Sequence, residues 1–160
     1  MFKVKNYVLY NYNVCKIKEI TKIRDVNYYV LVPITDESLL IKAPVTQEGI
    51  NIRPLLTKKE IKQLIDKMAK IKTIAAPDHK IEQEYKRLLN TGNREDLISI
   101  IKTTYERNKR RKESGKKVGE KDSIYFNLAE KALYSEIAIV LKTDIEKAKL
   151  YVIKKLGKGT

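Results

Sequence analysis

The hydrophobic period of this chain changes once, near residue 57, and that change limits what it can fold into. Upstream, apolar residues alternate with polar ones in short runs, as in strands with one buried face. Downstream they recur at three and four residues, as in amphipathic helices. A chain of 160 residues with a single change of this kind is expected to be an α+β protein of two modules, residues 1–56 and residues 57–160.

In the first module the strand-like runs are Val4–Tyr10, Val14–Ile23, Tyr28–Pro33 and Leu39–Ala43. Asn11-Tyr12-Asn13, Arg24–Asn27 and Thr35–Ser38 are the turns between them. In the second run, Val14, Lys16 and Lys18 alternate with Cys15 and Ile17. Pro33 and Pro44 fall at strand ends, where a missing N–H does little harm. Four or five short antiparallel strands in so little chain predict a small, strongly bent sheet or barrel. Tyr7, Tyr10, Tyr12, Tyr28 and Tyr29 crowd this module. They suit core packing with the hydroxyl at the rim, a protein-contact surface or a base-stacking platform.

Thr57-Lys58-Lys59-Glu60 reads as a capping box that opens the first of about five helices, with Ile61, Leu64, Ile65, Met68 and Ile71 on its apolar face. Pro77 ends that stretch. A second helix is expected over 78–90, with Ile81, Tyr85, Leu88 and Leu89 inward and Gly92 closing it. Asn93 should cap a third, carrying Leu97, Ile98, Ile101 and Tyr105 inward and ending by Gly115. A fourth should start near Gly119 with Ile124, Leu128, Ala132 and Ile137 inward. Thr143-Asp144-Ile145-Glu146 reads as a second capping box. It opens a last helix with Ile145, Ala148, Val152 and Leu156 on one face, ended by Gly157 before a frayed tail.

Charge follows the same division. Residues 1–57 hold eight Lys/Arg against five Asp/Glu, whereas residues 58–160 hold twenty-six against fifteen. The densest stretch, Lys102 to Lys121, carries nine basic and three acidic residues. Such a block is either a solvated helix end and loop or the face that meets a polyanion, and nucleic acid is the polyanion it fits best. No apolar run is long enough to span a bilayer, and no exposed apolar face accompanies the basic run, so no membrane partner is expected. No secretory leader is read at the start, and the expected location is the cytoplasm. One cysteine and one histidine leave no internal disulfide and no ordinary zinc site.

A search for catalytic chemistry returns little. His79 follows Pro77-Asp78 and reads as a first-turn helix residue, and Cys15 as a buried strand residue. The chain has no glycine-rich phosphate loop. Glu82 and Glu84 are two apart on a helix and face different ways. Asp36 and Glu37 solvate a turn. No catalytic residue, metal or cofactor is expected.

In its layout the chain resembles the CarD/CdnL family of bacterial transcription regulators. The resemblance covers about residues 1–141 and rests on the order and spacing of several short segments: Met1-Phe2-Lys3-Val4 with Tyr7-Val8-Leu9-Tyr10, Val14-Cys15-Lys16-Ile17, Tyr28-Tyr29-Val30-Leu31, Ile41-Lys42-Ala43-Pro44 and Ile52-Arg53-Pro54. In the helical half it rests on Tyr85-Lys86-Arg87 through Leu89-Asn90-Thr91-Gly92-Asn93, on Val118-Gly119-Glu120-Lys121, and on Ala129 through Glu136.

That resemblance implies a Tudor-like β-barrel that binds the β subunit of RNA polymerase by edge-strand pairing and basic contacts. The implied polymerase-binding residues are Lys42, Lys22, Arg24, Tyr29 and Ile41. Lys42 stands where the family has an arginine, which keeps the charge and loses the bidentate fork. The compact helical module would contact promoter DNA, mostly its backbone, at the upstream edge of the melted bubble, and the protein would act as a monomer. Lys121 falls on a family lysine that contacts DNA. Lys109, Arg110, Arg111, Lys116, Lys117, His79 and Lys80 are the further DNA-binding candidates. Well-studied members carry a wedging tryptophan at the start of this module's central helix, and this chain has none. Either His79 stacks in its place or the wedge is missing, at a cost of roughly 1–3 kcal/mol of base stacking. The implied function is modulation of open-complex stability without sequence readout. The competing readings are a free-standing non-specific nucleic-acid binder and an adaptor whose basic face meets an acidic protein.

Overall fold

The computed structural model describes residues 1–158. The chain divides into two compact units, Met1–Leu55 and Leu56–Thr160. The first is a five-stranded antiparallel sheet and the second carries five α-helices, so the architecture is α+β. No described helix is long and apolar enough to cross a membrane.

The sheet comprises β1 (Tyr7–Tyr10), β2 (Asn13–Ile23), β3 (Val26–Pro33), β4 (Ile41–Pro44) and β5 (Ile52–Pro54), in the order β4-β3-β2-β1-β5. It is an antiparallel meander with β5 returning to β1, and it does not close: β4 and β5 each have one strand neighbour among the described residues. β1 begins three residues later than the apolar run suggests, because Lys5 takes a positive φ of 75° in a turn closed by Asn6 N–H to Lys3 O. The β2–β3 connection is only Arg24-Asp25, both at positive φ, as a two-residue hairpin turn demands. β4 starts at Ile41 instead of Leu39. Asp36 accepts from the Ser38 N–H at 3.1 Å and so extends the turn, leaving Leu39 and Leu40 exposed. β5 is a strand that the alternation signal misses, since three residues are too few to show a period.

The pleat works as expected at Cys15 and Ile17, which face the core, and at Lys16 and Lys18, which face out. Val14 does not stay with the lysines but is buried as well. Register with β3 slips between Ile17 and Glu19, a bulge that bends β2. Val8, Cys15, Ile17, Tyr29, Leu31, Ala43 and Ile52 form the core that results.

In the helical unit α1 is Lys58–Met68, α2 Ile81–Thr91, α3 Arg94–Glu113, α4 Glu120–Leu141 and α5 Ile145–Lys158, with a short 3₁₀ turn, Asp78–Lys80, leading into α2. The Thr57 capping box is complete. Thr57 Oγ1 accepts from the Glu60 N–H at 3.1 Å, and the Glu60 carboxylate accepts from the Thr57 N–H at 3.0 Å. Ile61, Leu64, Ile65 and Met68 are buried, whereas Ile71 lies past the helix end. Gly92 closes α2 in the left-handed region, at φ 70°.

Expectations for α3, α4 and α5 are corrected. On α3, Tyr105 points to solvent, and the inward stripe runs through Leu97, Ile98, Ile100, Thr103 and Thr104. On α4, Ile124 and Leu128 are exposed, and the buried face is Asp122, Ala129, Leu133, Ile137 and Ala138, with Ser135 and Glu136. The helix is turned by its buried carboxylates, not by its first two aliphatic residues. The cap of α5 is Asp144, which accepts from the Lys147 N–H at 2.8 Å, and not Thr143, whose N–H closes the end of α4 on Ala138 O. Ala148 and Val152 face in as expected, and α5 continues through Gly157 to Lys158. The remaining tail, 159–160, lies outside the described residues.

Candidate nucleic-acid interface

α3 and α4 form a hairpin, and the basic run lies at its turn. Arg110, Arg111 and Lys112 occupy the last turn of α3, where cations complement the negative end of the helix dipole. Ser114 and Gly115 turn the chain, Gly115 at φ 73°, and the Lys116 N–H returns to Arg111 O at 2.7 Å. The sequence therefore places six cations, Lys109 to Lys112 with Lys116 and Lys117, within nine residues at one end of the hairpin.

The structure separates this run into committed and uncommitted charge. Lys102 Nζ donates to Ile71 O at 2.8 Å and also to Met68 O, so it caps the carbonyl end of α1. Arg107 lies between two carboxylates, with Nη1 2.8 Å from Asp78 and Nε 3.1 Å from Asp122. Arg111 Nη1 also reaches Asp122, at 3.1 Å. Arg110 pairs weakly with Glu106 along α3, at 3.6 Å. Lys109, Lys112, Lys116 and Lys117 are exposed, and among the described residues no carboxylate lies within ion-pair distance of them.

Asp122 organises the base of this hairpin. It is buried in the first turn of α4 and accepts from Arg107, Arg111 and the Tyr85 hydroxyl, the last at 2.7 Å. Burial and the Asp122 carboxylate both push the Tyr85 hydroxyl pKa up, so it stays protonated and donates. The Arg107 guanidinium beside Asp78 holds that carboxyl below its usual range. Gly119 leaves this path open: a Cβ there would fall 1.4 Å from Arg111 Nη1 and push the guanidinium off its line to Asp122. Its N–H is met by Asn108 Oδ1 at 2.8 Å. The Arg111 guanidinium is therefore held by the fold, and a phosphate would have to share it with Asp122.

His79 and Lys80 are exposed in the 3₁₀ turn, beside the Asp78 that joins this turn to α3. Lys121 is exposed on the first turn of α4, and its Nζ is 2.8 Å from Glu82 of α2. Through these two links, Asp78–Arg107 and Glu82–Lys121, the start of α2 is tied to the basic hairpin. The sequence does not show that the two groups of candidates meet.

The β-unit candidates separate differently. Lys42 is exposed on the edge strand β4, opposite Val30, with Ile41 half-buried beside it. Lys22 and Arg24 are exposed at the β2–β3 hairpin, and Lys22 lies 3.8 Å from Asp25. Tyr29 is not at the surface. Its ring is fully buried in the core, and its hydroxyl bonds Glu48 and accepts from the Phe2 N–H at 3.0 Å. Burial and Glu48 push its pKa up to about 12. A tyrosine in a strand pattern reads equally as rim or core, which is why the sequence misplaces it.

Among the described residues no three His, Cys, Asp or Glu side chains cluster as metal ligands. Neither a scan of protein-family models nor a search of curated proteins finds a match for this chain.

Proposed function

We propose that this chain is a transcription regulator of the kind its sequence resembles. It docks on the RNA polymerase β subunit through the β unit, read as a Tudor-like module built on an open, bent sheet, and contacts promoter DNA near the upstream edge of the bubble through the basic hairpin. The observation that carries this reading is the end of the α3–α4 hairpin, where Lys109, Lys112, Lys116 and Lys117 project into solvent without an acidic partner among the described residues. Lysines of this kind bind phosphates by releasing counterions and read no sequence. The target site is then chosen by whatever the β unit binds. Its edge strand β4, with Lys42 exposed, suits strand addition by a partner. Open-complex stability is modulated by holding the duplex at the bubble edge.

The test is the lifetime of the open complex on a promoter with a weak bubble, under competitor DNA, with and without the protein. A longer lifetime, together with capture of the isolated β subunit and its loss on Lys42→Glu, is the expected result. No β-subunit binding alongside ordinary duplex binding would replace this reading with a free-standing non-specific nucleic-acid binder.

A further inference from the structure

At one place on the basic face a single carboxylate stands between two ammonium groups from different helices. Glu82, in the first turn of α2, takes Lys121 of α4 on Oε2 at 2.8 Å and Lys86, one turn along α2, on Oε1 at 3.3 Å. Both lysines are mostly exposed, at 61% for Lys86 and 73% for Lys121, and the carboxylate is 31% exposed. Ion pairs this open to water are weakly held and easily exchanged for another anion. A backbone phosphate offers the same negative oxygens at hydrogen-bonding range. The two ammonium groups pull the Glu82 carboxyl below its usual range, and the carboxylate raises Lys121, so Glu82 and Lys121 meet as an ion pair at neutral pH.

We propose that Lys86, Glu82 and Lys121 form a displaceable seat for a backbone phosphate of duplex DNA. The Glu82 carboxylate holds the two ammonium groups together in the free protein and yields them to the phosphate on binding. The inference rests on the nucleic-acid reading of the basic hairpin. It adds Lys86, which lies outside the basic run, and it gives Glu82 a definite effect: a resident anion lowers affinity by competing with the incoming one.

The test titrates a labelled duplex with the full chain at several salt concentrations, using the wild type and the variants Glu82→Gln, Glu84→Gln and Lys86→Gln. Glu84 is the control, since it carries the same charge on the same helix but pairs with Arg87 at 2.7 Å. At about 0.1 M salt, Glu82→Gln should bind roughly threefold to tenfold tighter, and Glu84→Gln should change by less than about twofold. Lys86→Gln should bind more weakly, with a salt slope lower by about one unit. Equal effects of Glu82→Gln and Glu84→Gln would mean that only net charge matters and would overturn the seat. An unchanged slope for Lys86→Gln would overturn it too. If neither the wild type nor any variant binds duplex at about 50 mM salt, the nucleic-acid reading itself fails and takes the seat with it.

Discussion

In the β unit the core is Val8, Cys15, Ile17, Leu31, Ala43 and Ile52 around the Tyr29 ring, and the hydroxyl of that ring is met by Glu48. The helical unit buries apolar residues too, but its interior also takes in Asp122 and Glu136, at 2% and 1% exposed, with Thr103, Thr104 and Ser135. Asp122 gathers three donors from α2 and α3. Glu136 holds Arg94 at the start of α3, Nε at 2.9 Å, and accepts from the Leu56 N–H at 2.8 Å, which fixes the residue that leads into α1. The backbone of a sheet is satisfied by its neighbouring strands, so its core needs only apolar area. Long helices satisfy their own backbones and leave their mutual placement to side chains. In this unit buried carboxylates set that placement. Buried charge is costly unless fully paired, so it adds less to net stability than to the choice of one arrangement.

The largest effect is expected for Asp122→Ala. It strands the Arg111 guanidinium and the buried Tyr85 hydroxyl, and it should cost the helical unit about 3–5 kcal/mol. Amide hydrogen exchange resolved by peptide should show faster exchange across α2, α3 and α4 and unchanged exchange in β1–β5. A uniform loss of protection in both units would mean that they do not keep separate cores.

Cys15 probes the other core. Burial pushes its thiol pKa up to about 12 from an ordinary 9.0. At pH 8 that lowers the thiolate fraction, and with it the alkylation rate, by about a thousandfold relative to the unfolded chain. Because the folded pKa is raised, the contribution of the protonated thiol to stability is complete below about pH 9 and is lost as pH rises toward 12. Native Cys15 should therefore resist a thiol reagent at pH 8 in the wild type and equally in Asp122→Ala. Rapid labelling of the wild type would contradict a closed apolar core.

A smaller effect is expected at Thr57→Ala. Losing the side-chain half of a capping box typically costs about 1 kcal/mol. The denaturant midpoint of the helical unit should fall accordingly while that of the β unit stays put.

Much of the fold is legible in the residues themselves. The switch of period near Thr57, the capping box, the Gly92 stop and the inward face of α1 all come from local geometry, which neighbouring residues decide. The misreading of the α4 face has a clear cause. Asp122 and Glu136 look like surface acids in a helical sequence, so Ile124 and Leu128 appear to mark the buried face. Only their guanidinium and hydroxyl partners, eleven to forty-two residues away, show that the carboxylates lie inside. The same holds for the basic run. Its position at a helix end is a sequence property, but Arg107 and Arg111 are consumed by Asp122, and Lys86 joins Lys121 through Glu82.

The class of the molecule follows from the residues alone: a half with strand alternation, a half with helical period, and an excess of positive charge concentrated in the second. Those are sums and periods, readable without knowing what touches what. Which charges are available to a partner depends on contacts made only in the folded protein. An ammonium or guanidinium is free or spent according to the carboxylates and carbonyls within about 4 Å of it, and folding brings those from distant parts of the chain.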